Sequence, residues 1–260
     1  MTDAELAAWR AKWGEGPHLS VDLVIFTLQP IDKLSILLIE RGAPPFLGMH
    51  ALPGGFVRDD ETLEQAARRE LAEETGVQHL GETVVEQLAT FGDPRRDPRA
   101  RIVSVAYTAL VPWDRVRHAR GGDDARSAAF HAISVDHAVD DAGEPLSLAF
   151  DHAAIVHTAV ERLRARITYT TAPFALMPDE FTLAELQAAY EAILGTSLHR
   201  RAFRERVERE GWVVPTGGMR GGAHRPARLF RAATRDLLWM RPWPEAAKIS
   251  GTLETAPRAR

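Results

Sequence analysis

Between Gly54 and Val77 the chain reads GGFVRDDETLEQAARRELAEETGV, and this segment restricts the possible folds more than any other in its 260 residues. From Glu61 to Thr75 it is rich in Ala, Leu, Glu and Arg without Gly or Pro, which predicts a helix stopped by Gly76. On a helix turning ~100° per residue, Glu70, Glu73 and Glu74 fall within about 100° of arc, so three carboxylates share a face. Glu70 and Glu74 stand one turn apart, where like charges repel by a few tenths of a kcal/mol (about 0.2–0.5) unless a cation intervenes. The chain has no cysteine, and its ten histidines show no metal-ligand spacing, so oxygen is the expected metal donor. Hard oxygen ligands suit Mg²⁺ or Mn²⁺, which also bridge pyrophosphate oxygens and acidify bound water. Gly54 and Gly55 allow close backbone approach, and Gly54 offers a carbonyl. The expected metal set is Gly54, Glu70 and Glu74. A solvated acidic helix with incidental arginine partners is the competing reading.

Around this segment the pattern is α/β. Apolar runs from Leu19 to Leu28 and from Lys33 to Glu40 predict a hairpin or neighbouring strands across the turn QPID. Pro44, Pro45, Pro53, Gly54 and Gly55 then break the pattern. Strand-like runs return at TVVEQLATF, RIVSVAYTALV and AAFHAISV, and a helix follows from about Asp151 to Arg166. The stretch from Thr170 to Pro178 carries two prolines and reads as a linker. Beyond it come the helical patterns TLAELQAAYEAIL and HRRAFRERVERE, with Gly195 in the turn between them. Thr182 and Glu185 make a capping box for the first. Two strand candidates, WVVPT and ARLFRA, flank a Gly/Arg loop. The expected division is residues 1–168 for the first domain, 169–178 for the linker, 179–240 for the second domain and 241–260 for a tail. No apolar run approaches the ~20 residues needed to span a bilayer, and the amino terminus lacks a secretory pattern. The cytoplasm is the expected compartment.

Gly55, Glu61, Arg69, Glu70, Glu73, Glu74 and Gly76, with aliphatic Leu71 and Val77, resemble a complete Nudix box. At average residue usage such a match arises by chance in on the order of one chain in ten million. The resemblance implies a Nudix α/β/α sandwich, with Glu70, Glu73, Glu74, Arg69 and Glu61 as the catalytic set. Within it, Arg69 and Glu61 are read as an orienting ion pair. The stretch from Phe91 to Tyr107 resembles the corresponding region of ADP-ribose-recognising Nudix proteins. Phe91 would then stack on adenine, while Arg99 and Arg101 pair with phosphates or order the loop. Arg41 and Arg58, flanking the box, are weaker candidates for phosphate contact. Asp136, Asp140, Asp141 and Glu144 are candidates for a base outside the helix, and nothing in the sequence chooses among them.

The region from Tyr169 to Arg231 resembles the connector and winged helix of Nudix-related transcriptional regulators. That family implies control of NAD metabolism genes, an ADP-ribose-sensing Nudix domain and a dimer on double-stranded operator DNA. Charge agrees with a polyanion contact. Residues 199–231 carry nine arginines against three glutamates, on a chain of net charge −4. Arg200, Arg201 and Arg204 open the second helix, where a recognition helix enters a major groove, and Arg220 and Arg225 sit where a wing would meet phosphates. Glu205, Glu208 and Glu210 lie late in that helix, so a solvated charged helix is the alternative. Three functions remain open: an ADP-ribose-responsive regulator, an ADP-ribose pyrophosphatase releasing AMP and ribose 5-phosphate, or a Nudix protein for another sugar nucleotide.

Overall fold

The computed structural model describes residues 2–13, 16–76, 83–118, 125–221 and 226–234. Helix α1 (Asp3–Trp13) precedes strands β1 (His18–Leu28), β2 (Leu34–Arg41), β3 (His50–Ala51) and β4 (Gly54–Phe56). Helix α2 (Leu63–Thr75) leads to β5 (Val84–Phe91), β6 (Ile102–Leu110), the short α3 (Trp113–Val116), β7 (Ala125–Ser134) and β8 (His137–Val139). Helix α4 (His152–Ile167) and a 3-10 helix (Ala172–Leu176) connect to α5 (Leu183–Leu194), α6 (Arg200–Arg209), β9 (Val213–Arg220) and β10 (Ala227–Ala232). Eight strands form one mixed sheet in the order β5-β6-β1-β2-β7-β8, with β3 on β2 and β4 on β1. β1 and β6 run parallel, while β1 and β2 form the expected antiparallel hairpin.

The unbroken apolar run of β1 follows from its central position, since both faces are covered. Val21, Leu23 and Ile25 pack beneath α2 with Ala66, Ala67 and Leu71. Val24, Phe26 and Leu28 alternate to the other face, beneath Ile155, Val156, Ala159 and Val160 of α4. Asp22 shares this α4-side parity and is the one carboxylate in the strand. Helix α2 begins two residues later than expected, because Thr62 is its N-cap. Thr62 Oγ1 accepts from Gln65 N–H at 3.2 Å, and Gln65 Oε1 accepts from Thr62 N–H at 2.7 Å. Gly76 closes the helix at φ 72°, in the left-handed region that glycine enters freely.

The second unit is α5, α6 and the β9–β10 ribbon, with Phe181 bridged to Phe230 as a third strand position. Thr182 and Glu185 form the expected capping box, and Gly195 ends α5 at φ 68°. The expected linker is corrected: Ala172, Phe174, Ala175, Leu176 and Met177 are buried in the same core as β1, α4 and α5. Helix α4 ends at Ile167, ahead of both prolines, and the segment stays packed because its apolar residues have a core to fill. One hydrophobic core therefore runs from the sheet through the 3-10 helix to Tyr190, Phe203 and Phe230. Among the described residues, no helix is long and apolar enough to cross a membrane.

Candidate functional site

Strand β4 sits between the two halves of the site, and its alternation sends neighbouring residues to opposite faces. Gly55 faces α2, where a Cβ would overlap Glu70 Oε1. Gly54 faces the α4 side, where a Cβ would overlap the Val21 carbonyl and crowd Asp22. Both glycines are therefore required by close approach, which the sequence reading anticipated.

On the α2 face, Glu70 and Glu74 are each 7% exposed, whereas the Glu73 side chain is 47% exposed. Arg69 organises the group. Its Nη1 lies 2.5 Å from Glu70 Oε1 and 3.2 Å from Glu73 Oε2, while Nε and Nη2 grip Glu61 at 3.0 and 2.7 Å. Arg69 also donates to the Phe56 carbonyl at 3.2 Å, fixing the end of β4. Hydrogen bonding from Arg69 holds the Glu61 carboxyl down at about 2. Burial pushes Glu70 up, against the pull of Arg69. Arg69 and Glu61 thus have the orienting geometry expected of them. The three glutamates share a face, but among the described residues no set of three carboxylates or imidazoles closes into a cage. Two buried carboxylates beside a Cβ-free strand still fit a magnesium-type ion, which is held by one or two carboxylates with phosphate and water oxygens completing its shell. Arg58, mostly exposed, approaches Glu73 at 3.6 Å and donates its N–H to Glu61.

On the α4 face, rings from three distant segments meet around Arg99. Its guanidinium lies 5.3 Å from the Trp9 ring, 5.5 Å from Phe150 and 5.9 Å from Phe56, and Asp97 pairs with it at 2.6 Å. Arg41 stacks over Phe150 at 4.8 Å and ties its own loop through Pro45. Phe46 packs on Phe150 at 4.8 Å, and both occupy left-handed backbone, at φ 64° and 55°. Paired non-glycine residues in that region mark a site that the surroundings hold in place. Beneath lies a buried network missed by sequence reasoning. Asp22 accepts from Arg96 at 3.0 Å and from Ser104 at 2.6 Å, and Asp151 takes Arg96 through two further bonds. His152 Nδ1 accepts the Leu52 N–H at 2.8 Å, which leaves the proton on Nε2, facing Asp22 at 3.6 Å. Burial pushes this imidazole's pKa down, so it is neutral. A lone aspartate inside the run VDLVIF was the available signal.

Other expected residues lie elsewhere. Phe91 pairs with Ser104 on the α4 side of the sheet, and its ring packs, partly buried, against the core there. Arg101 donates to the Gly92 carbonyl at 2.7 Å and so ties the loop's base. Asp136 is engaged by His137 and His157 at 3.1 and 2.7 Å, and Asp140 accepts backbone N–H groups of its own turn. Asp141 and Glu144 are exposed on that turn.

In the C-terminal unit, Arg200 and Arg201 are exposed at the start of α6, with Arg201 reaching Glu205 at 2.7 Å. Arg204 is half-buried, with its Nε sealed from solvent, and so is less available to a partner than expected. Arg220, exposed on β9, pairs with Glu185 and donates to the Glu180 carbonyl at 3.1 Å, tying the ribbon to α5. Arg225 lies outside the described residues. Arg228 and Arg231, exposed on β10, add basic surface that sequence reasoning had not selected.

Comparison with known proteins agrees with this two-part geometry. A NUDIX domain family model matches residues 16–157, and the NrtR DNA-binding winged helix domain matches residues 173–232. The chain is 36% identical over 239 residues to the ADPR responsive transcriptional repressor NtrR of Acinetobacter baylyi, covering 90% of this chain and 89% of that one. It is 40% identical over 121 residues to an ADP-ribose pyrophosphatase of Methanocaldococcus jannaschii, which covers 46% of this chain and 63% of that protein. Shewanella oneidensis NrtR, solved with a 27mer DNA, superposes with a TM-score of 0.68 at 35% identity, over 82% of this chain and 93% of that one. The Nudix sandwich expected from the box, followed by a winged helix, is thus the observed fold, and the chain belongs to the Nudix-related regulator family in which a NUDIX domain precedes an NrtR-type DNA-binding winged helix.

Proposed function

We propose that the chain is an ADP-ribose-responsive, DNA-binding regulator of NAD metabolism genes, acting as a homodimer on double-stranded operator DNA. One observation carries this reading: the sheet that bears the diphosphate-type site shares its α4-side hydrophobic core with a winged helix that exposes Arg200 and Arg201. The likeness to the ADPR responsive repressor of Acinetobacter and to the DNA-complexed NrtR of Shewanella supports it. Glu70 and Glu74 would hold Mg²⁺ or Mn²⁺, which when bound neutralises diphosphate charge. Arg69 keeps those carboxylates oriented. Trp9, Phe56 and Phe150 offer faces for a planar base, with Arg99 and Arg41 supplying positive charge. The test is the affinity of the protein for its own upstream DNA, with and without ADP-ribose. Binding should change at least ~5-fold, the low end of ordinary coupling between sites. An affinity indifferent to the ligand would remove the regulatory reading.

A pyrophosphatase reading is favoured by a separate observation, the unbroken set from Gly55 to Gly76 with its buried Glu70 and Glu74. Gly55→Ala tests the metal pair without removing a carboxylate. Its methyl group would displace Glu70, so Mn²⁺ affinity measured by calorimetry should fall at least ~10-fold. Unchanged Mn²⁺ affinity would place the ion elsewhere.

A further inference from the structure

Helix α4 runs between the two parts of the molecule, and an arginine fastens each of its ends. At its start, Asp151 holds the N-cap position without making a cap hydrogen bond. Its carboxylate is instead taken by Arg96, through Nε at 2.9 Å and Nη2 at 2.7 Å. The same Nη2 binds Asp22, the residue that crowds any side chain at Gly54. Phe150, one residue earlier, is in left-handed backbone with its ring against Arg41 and Arg99. His152, one residue later, is bonded to the backbone just ahead of the glycine strand. The position of the first turn is therefore set by residues of the candidate ligand cluster.

At the other end, Arg164 Nε donates to the Ile193 carbonyl at 2.9 Å. That oxygen belongs to the last turn of α5, where a helix leaves carbonyls without an internal partner. Between the fastenings, the 16 residues of α4 span about 24 Å. Ile155, Val156, Ala159, Val160, Leu163 and Ile167 bury one face in the shared core. A helix packed this closely shifts as a body more readily than it bends. Helix α5 in turn packs on α6 through Tyr190 and Phe203, with ring centroids 5.3 Å apart. The buried 3-10 helix leaves no slack tether between the two parts.

We propose that α4 is the rod that couples the ligand cluster to the winged helix, with Arg96 and Arg164 as its positioning residues. A ligand engaging the Arg96–Arg99 loop or the Phe150 ring changes how the first turn is held. Arg164 passes that displacement to α5 and hence to α6. The inference rests on the ADP-ribose reading above and specifies the regulation of that same site.

Arg164→Met tests it, because the variant keeps the apolar stem and removes the donor. DNA affinity is measured by anisotropy with and without saturating ADP-ribose, and ADP-ribose affinity by calorimetry. The wild-type ratio of DNA affinities, at least ~5-fold, should collapse toward 1 in the variant, while DNA affinity without ligand and ADP-ribose affinity without DNA each stay within about threefold. Arg162→Met, on the exposed side of α4, should keep the wild-type ratio. An undiminished ratio in Arg164→Met overturns the proposal. So does loss of DNA binding in both states, which would assign Arg164 to the folding of the domain. Hydrogen exchange on the wild type supplies a second reading. Saturating ADP-ribose should alter protection at Gly195 N–H, which closes α5 on Glu191, and an unaltered amide there also overturns it. Wild-type DNA affinity that ignores ADP-ribose fails the regulatory reading before any substitution, and this inference falls with it.

Discussion

Glu74→Gln should slow metal-dependent release of AMP from ADP-ribose at least ~100-fold, which corresponds to about 2.7 kcal/mol of lost transition-state stabilisation. The substitution keeps the shape of the side chain and removes its charge, so packing of α2 through Ala66, Ala67 and Leu71 onto β1 is undisturbed. The effect is large because Glu74 is buried beside Glu70, where solvent screens little and each carboxylate counts fully toward holding a divalent ion. Arg69 cannot compensate. Its guanidinium is already divided among Glu61, Glu70 and Glu73, and it orients the acids without replacing a cation. The assay is AMP production with Mg²⁺ or Mn²⁺, alongside thermal melting of both proteins. A variant as active as the wild type would show that the metal is held elsewhere. A wild type that binds ADP-ribose and yields no AMP would make the domain a sensor without turnover.

The carboxylate half of this site was legible because it is local: one helix of thirteen residues carries Arg69, Glu70, Glu73 and Glu74, and helical geometry alone puts the acids on a face. The aromatic half was not. Trp9, Phe56 and Phe150 come from α1, β4 and the approach to α4, and only the tertiary fold brings them to Arg99. β3 and β4, two and three residues long in Pro- and Gly-rich sequence, exist because β2 and β1 supply their partners. Phe91 shows the same limit. The resemblance offered an aromatic beside an arginine-rich loop, and only the register opposite Ser104 shows that its ring lies partly buried on the α4-side core. The Thr170–Pro178 stretch misled for a related reason. Its prolines signal interruption of a helix, while burial depends on the apolar residues between them and on a core that lies elsewhere in the chain.

Arg200→Ala with Arg201→Ala should lower affinity for operator DNA by ~30-fold or more while leaving ADP-ribose affinity within about twofold. Each arginine that reads a base edge typically contributes ~1–3 kcal/mol, and two such losses together exceed the ~2 kcal/mol that a 30-fold change requires. These two are chosen over Arg204 because they are exposed at the first turn of α6, with 83% of the Arg201 side chain accessible. Arg204 is half-buried, so truncating it would cost packing as well as charge and blur the result. The Arg201–Glu205 pair is exposed and so contributes little to stability, about 0.3–0.5 kcal/mol for this helical spacing, which leaves the fold of α6 to Phe203 and Val207. Salt dependence gives an independent reading. If both side chains meet phosphates, the slope of log affinity against log salt should become shallower by about 2. ADP-ribose affinity should survive, because the candidate ligand residues lie on α1, β2, β4, α2, the Arg99 loop and the approach to α4, all within the first domain and away from these arginines. Unchanged DNA affinity would move the interface to the ribbon, where Arg228 and Arg231 are exposed on β10. Loss of both activities, with a lowered melting temperature, would instead make α6 a structural support of the shared core.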